Sequence, residues 1–305
     1  MTRLLRIATR QSQLALWQAN FIRDRLIEAH RDLEVRLVGL TTRGDKWLQS
    51  PLSEIGGKGL FVKELEAAML DGEADIAVHS VKDLPAVLPS EFSLPVVGYR
   101  EMVNDLLVGA TDLSDLAEGA RIGSSSLRRK AQLLALRPDL DVQPIRGNVD
   151  TRLRKLDDGE FDAIVLAAAG LRRLNVKRQD SVILSTDESL PAPGQGALGI
   201  ETVANSGLED LLGPLVDADA ARCVRAERGI SAGLGADCSL PIAAMAVPDG
   251  QSITLSALVA AVDGSRIIRT QVQGDDPEQL AQTALDKLRE QGAEEILLEL
   301  RTGIQ

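Results

Sequence analysis

Short apolar runs containing β-branched residues alternate, over the first two thirds of the chain, with segments whose apolar residues recur at helical spacing. This alternation is typical of α/β proteins, in which helices pack on a largely parallel sheet. It predicts strands at residues 4–8, 35–40, 75–78, 95–97, 106–108, 121–123, 142–145 and 163–166. It predicts helices from Ser12 onward and at residues 60–70, 126–136 and 151–156.

The pattern changes after this alternating region. Two apolar runs, residues 253–262 and 266–272, flank Asp263-Gly264, a dipeptide that strongly favours a hairpin turn. An amphipathic helix is expected at residues 277–291, because its apolar residues fall on one face. The C-terminal part therefore differs in architecture from the region before it.

Composition argues against several classes of protein. The 305-residue chain has a net charge of −11 and only seven Phe, Trp or Tyr residues, unlike a nucleic-acid binder with stacking platforms and a basic surface. Two cysteines and two histidines are too few for a disulfide framework or a Cys/His metal site. The longest apolar run, residues 163–169, is far shorter than the roughly 20 residues that cross a bilayer. Because Arg3, Arg6 and Arg10 interrupt the first apolar stretch, we expect no secretory signal and a cytoplasmic protein.

Positive charge is concentrated in one segment. Residues 121–178 carry a net charge of +6, whereas the remaining 247 residues carry −17. The basic residues are mostly arginine, with 26 Arg and 8 Lys in the whole chain. Since a guanidinium binds a carboxylate or phosphate through two parallel hydrogen bonds, the segment suggests a small polyanionic ligand. A solvated basic face or local ion pairing explains the charge alone equally well.

Two junctions in this segment combine a predicted strand end with arginine. In the first, three serines at 124–126 precede Arg128 and Arg129, which lie in the first turn of the predicted helix. Two cations at this end oppose the helix dipole and cost helix stability unless an anion binds there. In the second, Arg146 and Arg152 stand at the two ends of a segment whose glycine permits a sharp turn. The carboxyl ends of parallel strands meet at one edge of a sheet, so the two junctions are expected to form one anion site.

The first half contains further candidates. Arg10 and Ser12 follow the first predicted strand and open a helix, so they could face the same ligand. Asp83 lies just beyond the apolar run 74–78, where a carboxylate could stabilise a cationic intermediate or move protons. A turn or helix-cap aspartate is the alternative, and residue type alone favours it. His79 is similarly more often a packed histidine than a base.

The two cysteines have different surroundings. Cys238 lies in a loop-like stretch that ends in Pro241, whereas Cys223 lies in a helix-like segment. The loop cysteine is the better candidate for covalent chemistry, although a lone cysteine is usually a small buried residue. The glycine-punctuated segment 44–59 is a candidate lid over a site, with an ordinary connector as the favoured alternative.

Seven motifs together resemble the porphobilinogen deaminase (hydroxymethylbilane synthase) family. They follow the family's order: RIATRQS at 6–12, GGKGLF at 56–61, AVHSVKDLP at 77–85, GSSSLRR at 123–129, RGNVDTR at 146–152, PGQGA at 193–197 and the loop around Cys238. Each motif is weak alone, and their combination is highly specific.

The resemblance implies an α/β fold with two similar domains like type II periplasmic binding proteins around a cleft, plus a small C-terminal α/β domain that attaches the cofactor. The implied domains are residues 1–99 with 193–215, residues 100–192, and residues 216–305. It also implies a cytoplasmic, monomeric transferase of tetrapyrrole (haem) biosynthesis, with no nucleic-acid or membrane partner. Its reaction would condense four porphobilinogen molecules head to tail, release ammonia and hydrolyse off hydroxymethylbilane.

The resemblance also implies roles for individual residues. A dipyrromethane cofactor, made from substrate, would be joined to Cys238 by a thioether, and no metal would be needed. Asp83 would be catalytic, holding pyrrole N–H groups and stabilising the cation left when ammonia departs. Cofactor-binding residues would be Lys82, Ser125, Arg128, Arg129 and Arg146. Substrate-binding residues would be Arg10, Ser12, Arg152, Arg173 and Gln195.

The chain departs from the family pattern beside the cysteine. Two glycines often precede it in the family, whereas Ala236 and Asp237 stand here, adding two Cβ atoms and a negative charge that affect loop geometry and attachment. A binding module that only captures a small carboxylate or phosphate is the competing hypothesis. Such a module has no use for Asp83 together with Cys238 and a third domain.

Overall fold

The computed structural model describes residues 3–42, 62–235 and 240–303. The chain divides into two compact units, residues 1–101 with 196–221 and residues 102–195 with 222–305. The candidate lid at 44–59, the GGKGLF motif and the loop with Ala236, Asp237 and Cys238 lie outside the described residues. Within the described ranges no helix has both the length and the apolarity to cross a membrane.

The first unit is built on a mixed sheet. Its described strands are β1 (Arg3–Arg10), β2 (Leu33–Leu40), β3 (Ile76–Ser80), β4 (Phe92–Gly98) and β10 (Leu198–Val203). They lie in the order β2-β1-β3-β10-β4. Strand β1 is parallel to β2 and β3, and β10 is antiparallel to both of its neighbours.

Two helices pack on opposite faces of this sheet, α1 (Gln13–Ala29) and α2 (Lys63–Leu70). Ile7 and Ile76 share a buried cluster with α1 residues, whereas Ala8 and Ala77 share one with α2 residues. Successive side chains of a strand point to opposite faces, so the alternation along β1 and β3 places one helix on each side. This arrangement leaves the carboxyl ends of β1 and β3 side by side.

The second unit contains a sheet with the same strand order. Its described strands are β5 (Asp105–Val108), β6 (Arg121–Gly123), β7 (Asp141–Gln143), β8 (Ala163–Ala167) and β9 (Ser181–Ile183), in the order β7-β6-β8-β5-β9. Strands β7, β6 and β8 are parallel, and β5 is antiparallel to β8 and β9. Helices α3 (Leu127–Leu136), α4 (Val149–Asp157) and α5 (Ala168–Arg173) follow β6, β7 and β8.

The two sheets therefore repeat one topology. In each sheet, four of the strands are consecutive in the sequence. The fifth strand, β10 or β5, is antiparallel and lies between the last two of those four, β3 and β4 or β8 and β9. The shared strand order agrees with the two similar domains that the resemblance implies. The α/β fold class and the similarity of the two halves, both predicted from the sequence, are confirmed.

A third sheet lies in the C-terminal part of the second unit. Strands β11 (Ile242–Asp249), β12 (Ser252–Ala260) and β13 (Ile267–Gly274) form an antiparallel meander. The helices of this region are α7 (Ala218–Gly233), α8 (Pro277–Glu290) and α9 (Ala293–Thr302), whereas the short helix α6 (Glu209–Leu212) belongs to the first unit. Residues of α7, α8 and α9 share one buried cluster with the sheet, which gives this small α/β domain its own core.

Most predicted elements are confirmed, with shifts at their ends. The predicted hairpin forms with Gly264 at φ +75°, and helix α8 ends one residue before the predicted limit. The prediction for β7, residues 142–145, is wrong at its end: the strand stops at Gln143, since Pro144 has no N–H to continue a ladder.

Candidate functional site

Three predicted site residues of the first unit surround one small cavity. Arg10 ends β1, Ser12 caps α1, and Asp83 ends a short 3-10 turn, Val81–Asp83, that follows β3. All three line a cavity of about 60 Å³. The other polar residues of its lining are Gln18, His79 and Ser80. The parallel pairing of β1 with β3 brings these side chains together at one sheet edge.

The two charged side chains of the 3-10 turn differ in their exposure to solvent. Asp83 is exposed and Lys82 is half-buried. The backbone of the turn is fixed, because Val81 N–H donates to the carbonyl of Ala197 at 3.1 Å and Leu84 N–H donates to that of Val81 at 3.1 Å. The carboxylate of Asp83 is therefore held on a defined backbone and remains accessible to a ligand.

A buried acid–histidine pair lies beside this cavity. His79 Nε2 is 2.9 Å from Glu201 Oε2, and the side chains are 6% and 0% exposed. The other carboxylate oxygen of Glu201 has no hydrogen-bond partner in the described part of the chain. His79 is thus packed and paired, as residue type suggested, and sequence reasoning did not identify Glu201.

The two arginines at the start of α3 are buried in the second unit. Arg128 is 4% exposed and Arg129 is 6% exposed. Both guanidinium groups donate to the carboxylate of Asp105, at 2.8 Å from Arg128 and 2.7 Å from Arg129. Arg128 also donates to the carbonyl of Leu190, and Arg129 to that of Val165. We call Arg128 and Arg129 the arginine pair.

The two arginine-bearing junctions meet, as predicted. Ser125 Oγ donates to the carbonyl of Ile145 at 2.6 Å, which ties the start of α3 to the residue before Arg146. Arg146 is half-buried, and burial lowers the pKa of its guanidinium. Arg152 Nε donates to the carbonyl of Gly147 at 2.8 Å, across a turn in which Gly147 has φ +113°.

Gln195 reaches the same carboxylate as the arginine pair. Its side chain is fully buried, and its Nε2 donates to the carbonyl of Val103 at 2.6 Å and to Asp105 Oδ1 at 2.8 Å. The adjacent Gly194 N–H donates to Glu227 of α7 at 2.7 Å. Arg173, at the end of α5, is 7% exposed. The remaining predicted residue, Cys238, lies outside the described residues.

Asp105 was not identified from the sequence. It opens β5 next to the apolar residues Leu106, Leu107 and Val108, where an aspartate that flanks a strand is usually exposed. Only the tertiary structure shows that two cations surround it. Among the described residues, no group of three His, Cys, Asp or Glu side chains could hold a metal ion.

Topology and charge together define a class of protein: an α/β protein with two sheets of the same strand order and a small C-terminal domain, with arginines at a sheet edge. A family model described as "Porphobilinogen deaminase, dipyromethane cofactor binding domain" matches residues 5–208. A second, "Porphobilinogen deaminase, C-terminal domain", matches residues 221–290. The chain belongs to the porphobilinogen deaminase family.

Two porphobilinogen deaminases are similar to the chain over nearly its whole length. The chain is 52% identical over 298 residues to the porphobilinogen deaminase of Thiobacillus denitrificans, covering 96% of this chain and 97% of the relative. It is 50% identical over 299 residues to that of Nitrosomonas europaea, covering 96% and 97%. Among solved structures, a probable amino-acid ABC transporter extracellular-binding protein from Bacillus subtilis matches with a TM-score of 0.45 and 10% identity, covering 70% of this chain and 91% of that chain.

Membership of the family defines the activity in outline. The protein is a transferase of tetrapyrrole biosynthesis that polymerises porphobilinogen and uses a dipyrromethane cofactor. The family assignment that the sequence motifs predicted is confirmed.

Proposed function

We propose that the chain condenses four porphobilinogen molecules head to tail on a dipyrromethane attached to Cys238, and then hydrolyses off hydroxymethylbilane. In each condensation the C–N bond of the aminomethyl group breaks and its carbon bonds to a pyrrole α-carbon of the growing chain. The C–H bond at that α-carbon breaks, and its proton leaves with the amino group as ammonia. The observation that carries the proposal is the buried arginine pair, because two guanidinium groups share a single carboxylate, that of Asp105.

The residues of the second unit fit a polycarboxylate. The arginine pair and Asp105 together carry a net charge of +1, and Arg129 Nε is buried without a hydrogen-bond partner among the described residues. Burying an uncompensated charge is costly, so an incoming carboxylate is stabilised there. Each porphobilinogen unit carries an acetate and a propionate. The dipyrromethane, once bound, supplies the pyrrole carbon to which the next unit is joined.

Binding of carboxylates is divided among the remaining candidates. In the proposal, Ser125, Arg128, Arg129, Arg146 and Lys82 hold the carboxylates of the cofactor. Arg10, Ser12, Arg152, Arg173 and Gln195 hold those of the substrate. Support comes from the positions of Arg10 and Ser12 beside Asp83 and from the contact that joins the Arg146 turn to α3.

Asp83 is the catalytic residue in this proposal. Its exposed carboxylate accepts hydrogen bonds from pyrrole N–H groups and stabilises the positive charge that develops as ammonia leaves. Its place at the carboxyl end of β3, on a turn fixed by backbone hydrogen bonds, supports this role because a preorganised charge needs little rearrangement during the reaction.

The burial of Cys223 favours Cys238 as the attachment point. Cys223 is 1% exposed within the core of the C-terminal domain, so its sulfur is not accessible to a ligand of this size. Cys238 follows α7 in the loop that the sequence predicts to be reactive. We assign attachment to the domain of residues 216–305, and we propose residues 1–99 with 193–215 and residues 100–192 as the other two domains.

We further propose that the protein acts as a cytoplasmic monomer in haem biosynthesis, without nucleic-acid or membrane partners. The net charge of −11 and the seven aromatic side chains support the absence of a nucleic-acid partner.

The proposal is tested by incubating the purified protein with porphobilinogen. We expect one ammonia per porphobilinogen consumed and a released tetrapyrrole whose cyclised, oxidised form is detected by its absorbance. Capture of porphobilinogen without release of ammonia or a tetrapyrrole would support the binding-module alternative.

A further inference from the structure

Asp105 is a carboxylate whose hydrogen-bonding capacity is filled by protein groups. It opens β5 and is 0% exposed. Its Oδ1 accepts hydrogen bonds from Arg129 and Gln195, at 2.7 and 2.8 Å, and its Oδ2 accepts from Arg128 and Ser189, at 2.8 and 2.7 Å. With two donors on each oxygen, Asp105 has no lone pair left for a substrate.

The arginine pair needs an external constraint to stay together. Arg128 and Arg129 are consecutive residues, and consecutive side chains on a helix diverge by about 100°. Their like charges repel each other, and they lie in the first turn of α3, where the helix dipole also disfavours cations. Asp105 draws both guanidinium groups to one point in spite of these three effects.

This arrangement leaves one positive charge of the arginine pair uncompensated. One carboxylate compensates one of the two buried guanidinium charges. Burial lowers the pKa of Arg128, whereas the charge of Asp105 opposes that effect. Because the Nε of Arg129 also lacks a partner in the described ranges, the arginine pair keeps a positive charge and a donor that no described group satisfies. Asp105 therefore orients the pair without neutralising it.

We propose that Asp105 is a positioning residue for the reaction, holding the arginine pair in the geometry that binds the carboxylates of the dipyrromethane and the growing chain. The inference rests on the proposed function of the arginine pair. It assigns no contact with substrate to Asp105 itself, which acts through Arg128 and Arg129. Without its charge, the two guanidinium groups repel each other and swing apart.

The experiment measures attachment of the cofactor rather than turnover. Protein is made in a host that lacks porphobilinogen, then titrated with porphobilinogen, and the fraction carrying two joined units is read from the intact mass. We expect Asp105→Asn to need at least about tenfold more porphobilinogen than wild type for half-maximal attachment. Leu133→Ala, a core truncation in the same helix, is the matched control: it lowers the melting temperature and leaves that concentration unchanged.

A double substitution separates positioning from a general loss of structure. If Asp105 acts through the arginine pair, then Asp105→Asn combined with Arg129→Leu needs less porphobilinogen than the product of the two single effects predicts. Ser189→Ala removes one donor from Asp105 and should raise the half-maximal porphobilinogen concentration by roughly threefold. This variant replaces Asp105→Asn in the test if Asp105→Asn does not fold.

Three results would overturn the inference. They are attachment in Asp105→Asn at the wild-type concentration, tighter attachment in that variant, and multiplicative effects of the two substitutions. Should Asp105→Asn fail to fold, an unshifted Ser189→Ala would overturn it equally. Failure of the wild-type protein to gain mass would instead refute the proposed function, and the inference with it.

Discussion

Asp83 of the first unit and Asp105 of the second unit are two aspartates with opposite surroundings. Asp83 is exposed on a turn, whereas Asp105 is fully buried and accepts hydrogen bonds from four side chains. A carboxylate already saturated by protein donors cannot also hold a substrate, and an exposed one can. Saturation by protein donors thus separates a carboxylate that orients other residues from one that can meet the ligand.

Replacing Asp83 with Ala should separate attachment from turnover. Because Asp83 is exposed, we expect the variant to fold with near-wild-type stability and to carry the cofactor, as read from its intact mass. Loss of the charge that stabilises the cation left when ammonia departs should lower the rate of ammonia release by about a hundredfold or more.

A matched variant controls for the loss of any exposed carboxylate. Asp32, in the loop between α1 and β2, is also exposed, and Asp32→Ala should release ammonia at the wild-type rate. Ammonia release near the wild-type rate from Asp83→Ala would refute the role assigned to Asp83.

The dependence of stability on pH should report the charge of Asp105. Burial raises the pKa of this carboxyl, but the charges and hydrogen bonds of Arg128 and Arg129 outweigh that effect and hold the pKa well below its usual range. The unfolded chain, with an aspartate pKa of about 3.9, binds a proton that the folded chain excludes. The stabilisation is therefore fully present above about pH 5 and is lost as the pH falls toward the folded-state pKa.

Urea unfolding at a series of pH values measures this effect. Below about pH 4 the free energy of unfolding of the wild type should fall more steeply with decreasing pH than that of Asp105→Asn, by up to about 1.4 kcal/mol per pH unit. Parallel curves for the two proteins would show that Asp105 does not carry the charge assigned to it.

Sequence reasoning identified arginines and missed their carboxylate partner. Arg128, Arg129 and Arg146 stand out because charge is clustered at strand-to-helix junctions, a pattern that is local in sequence. Asp105 is 23 residues from Arg128 and 90 from Gln195, so its role exists only in the folded chain. His79 and Glu201 are likewise 122 residues apart.

Helix α3, which carries the arginine pair, is held from its other side by the C-terminal domain. Gly264, in the turn between β12 and β13, packs directly on the helix backbone: a Cβ at this position would lie 2.5 Å from Ala135 N and 2.7 Å from the carbonyl oxygen of Ala131. Gly264 also has φ +75°. A side chain there must displace either the turn or α3.

Gly264→Ala should therefore lower the free energy of unfolding much more than a similar substitution in the neighbouring turn. Gly250, between β11 and β12, has φ +60° and nothing within 4 Å of its Cβ position. We expect Gly264→Ala to lower the free energy of unfolding by about 2 kcal/mol or more and Gly250→Ala by about 1 kcal/mol, from backbone strain alone. Urea titrations measure both values.

Cofactor attachment should follow the same order. Gly264→Ala should weaken attachment because it displaces the arginine pair, whereas Gly250→Ala should leave attachment unchanged. Equal losses of stability in the two variants would contradict the assigned contact between the turn and α3.

Elements with strong local patterns could be predicted, and those defined by distant partners could not. Strand β6 and helix α3 follow from an apolar run, a serine cap and helical spacing, and both are found. Strand β11 has an alanine-rich sequence that ends near Pro248, and β10 contains Gly199 and a buried Glu201. Neither sequence favours a strand, so these two depend on pairing with β12 and with β3 and β4.

The two sheets share one topology but differ in the charges that they carry. The first unit places Asp83 at a carboxyl-end edge with Arg10 and Ser12, whereas the second places the arginine pair and Arg146 at the corresponding edge. The uneven charge of the sequence, +6 in residues 121–178 against −17 elsewhere, predicted this difference. The strand order within each sheet could not be predicted, because the antiparallel strand pairs with strands that are distant in the sequence.

The proposed reaction depends on covalent attachment of the dipyrromethane to a single sulfur, that of Cys238. The decisive measurement is the intact mass of the wild type, Cys238→Ala and Cys223→Ala after incubation with porphobilinogen. The wild type and Cys223→Ala should each gain the mass of two porphobilinogen molecules less two of ammonia, and Cys238→Ala should gain none. A mass gain in Cys238→Ala, or its loss in Cys223→Ala, would contradict attachment at Cys238.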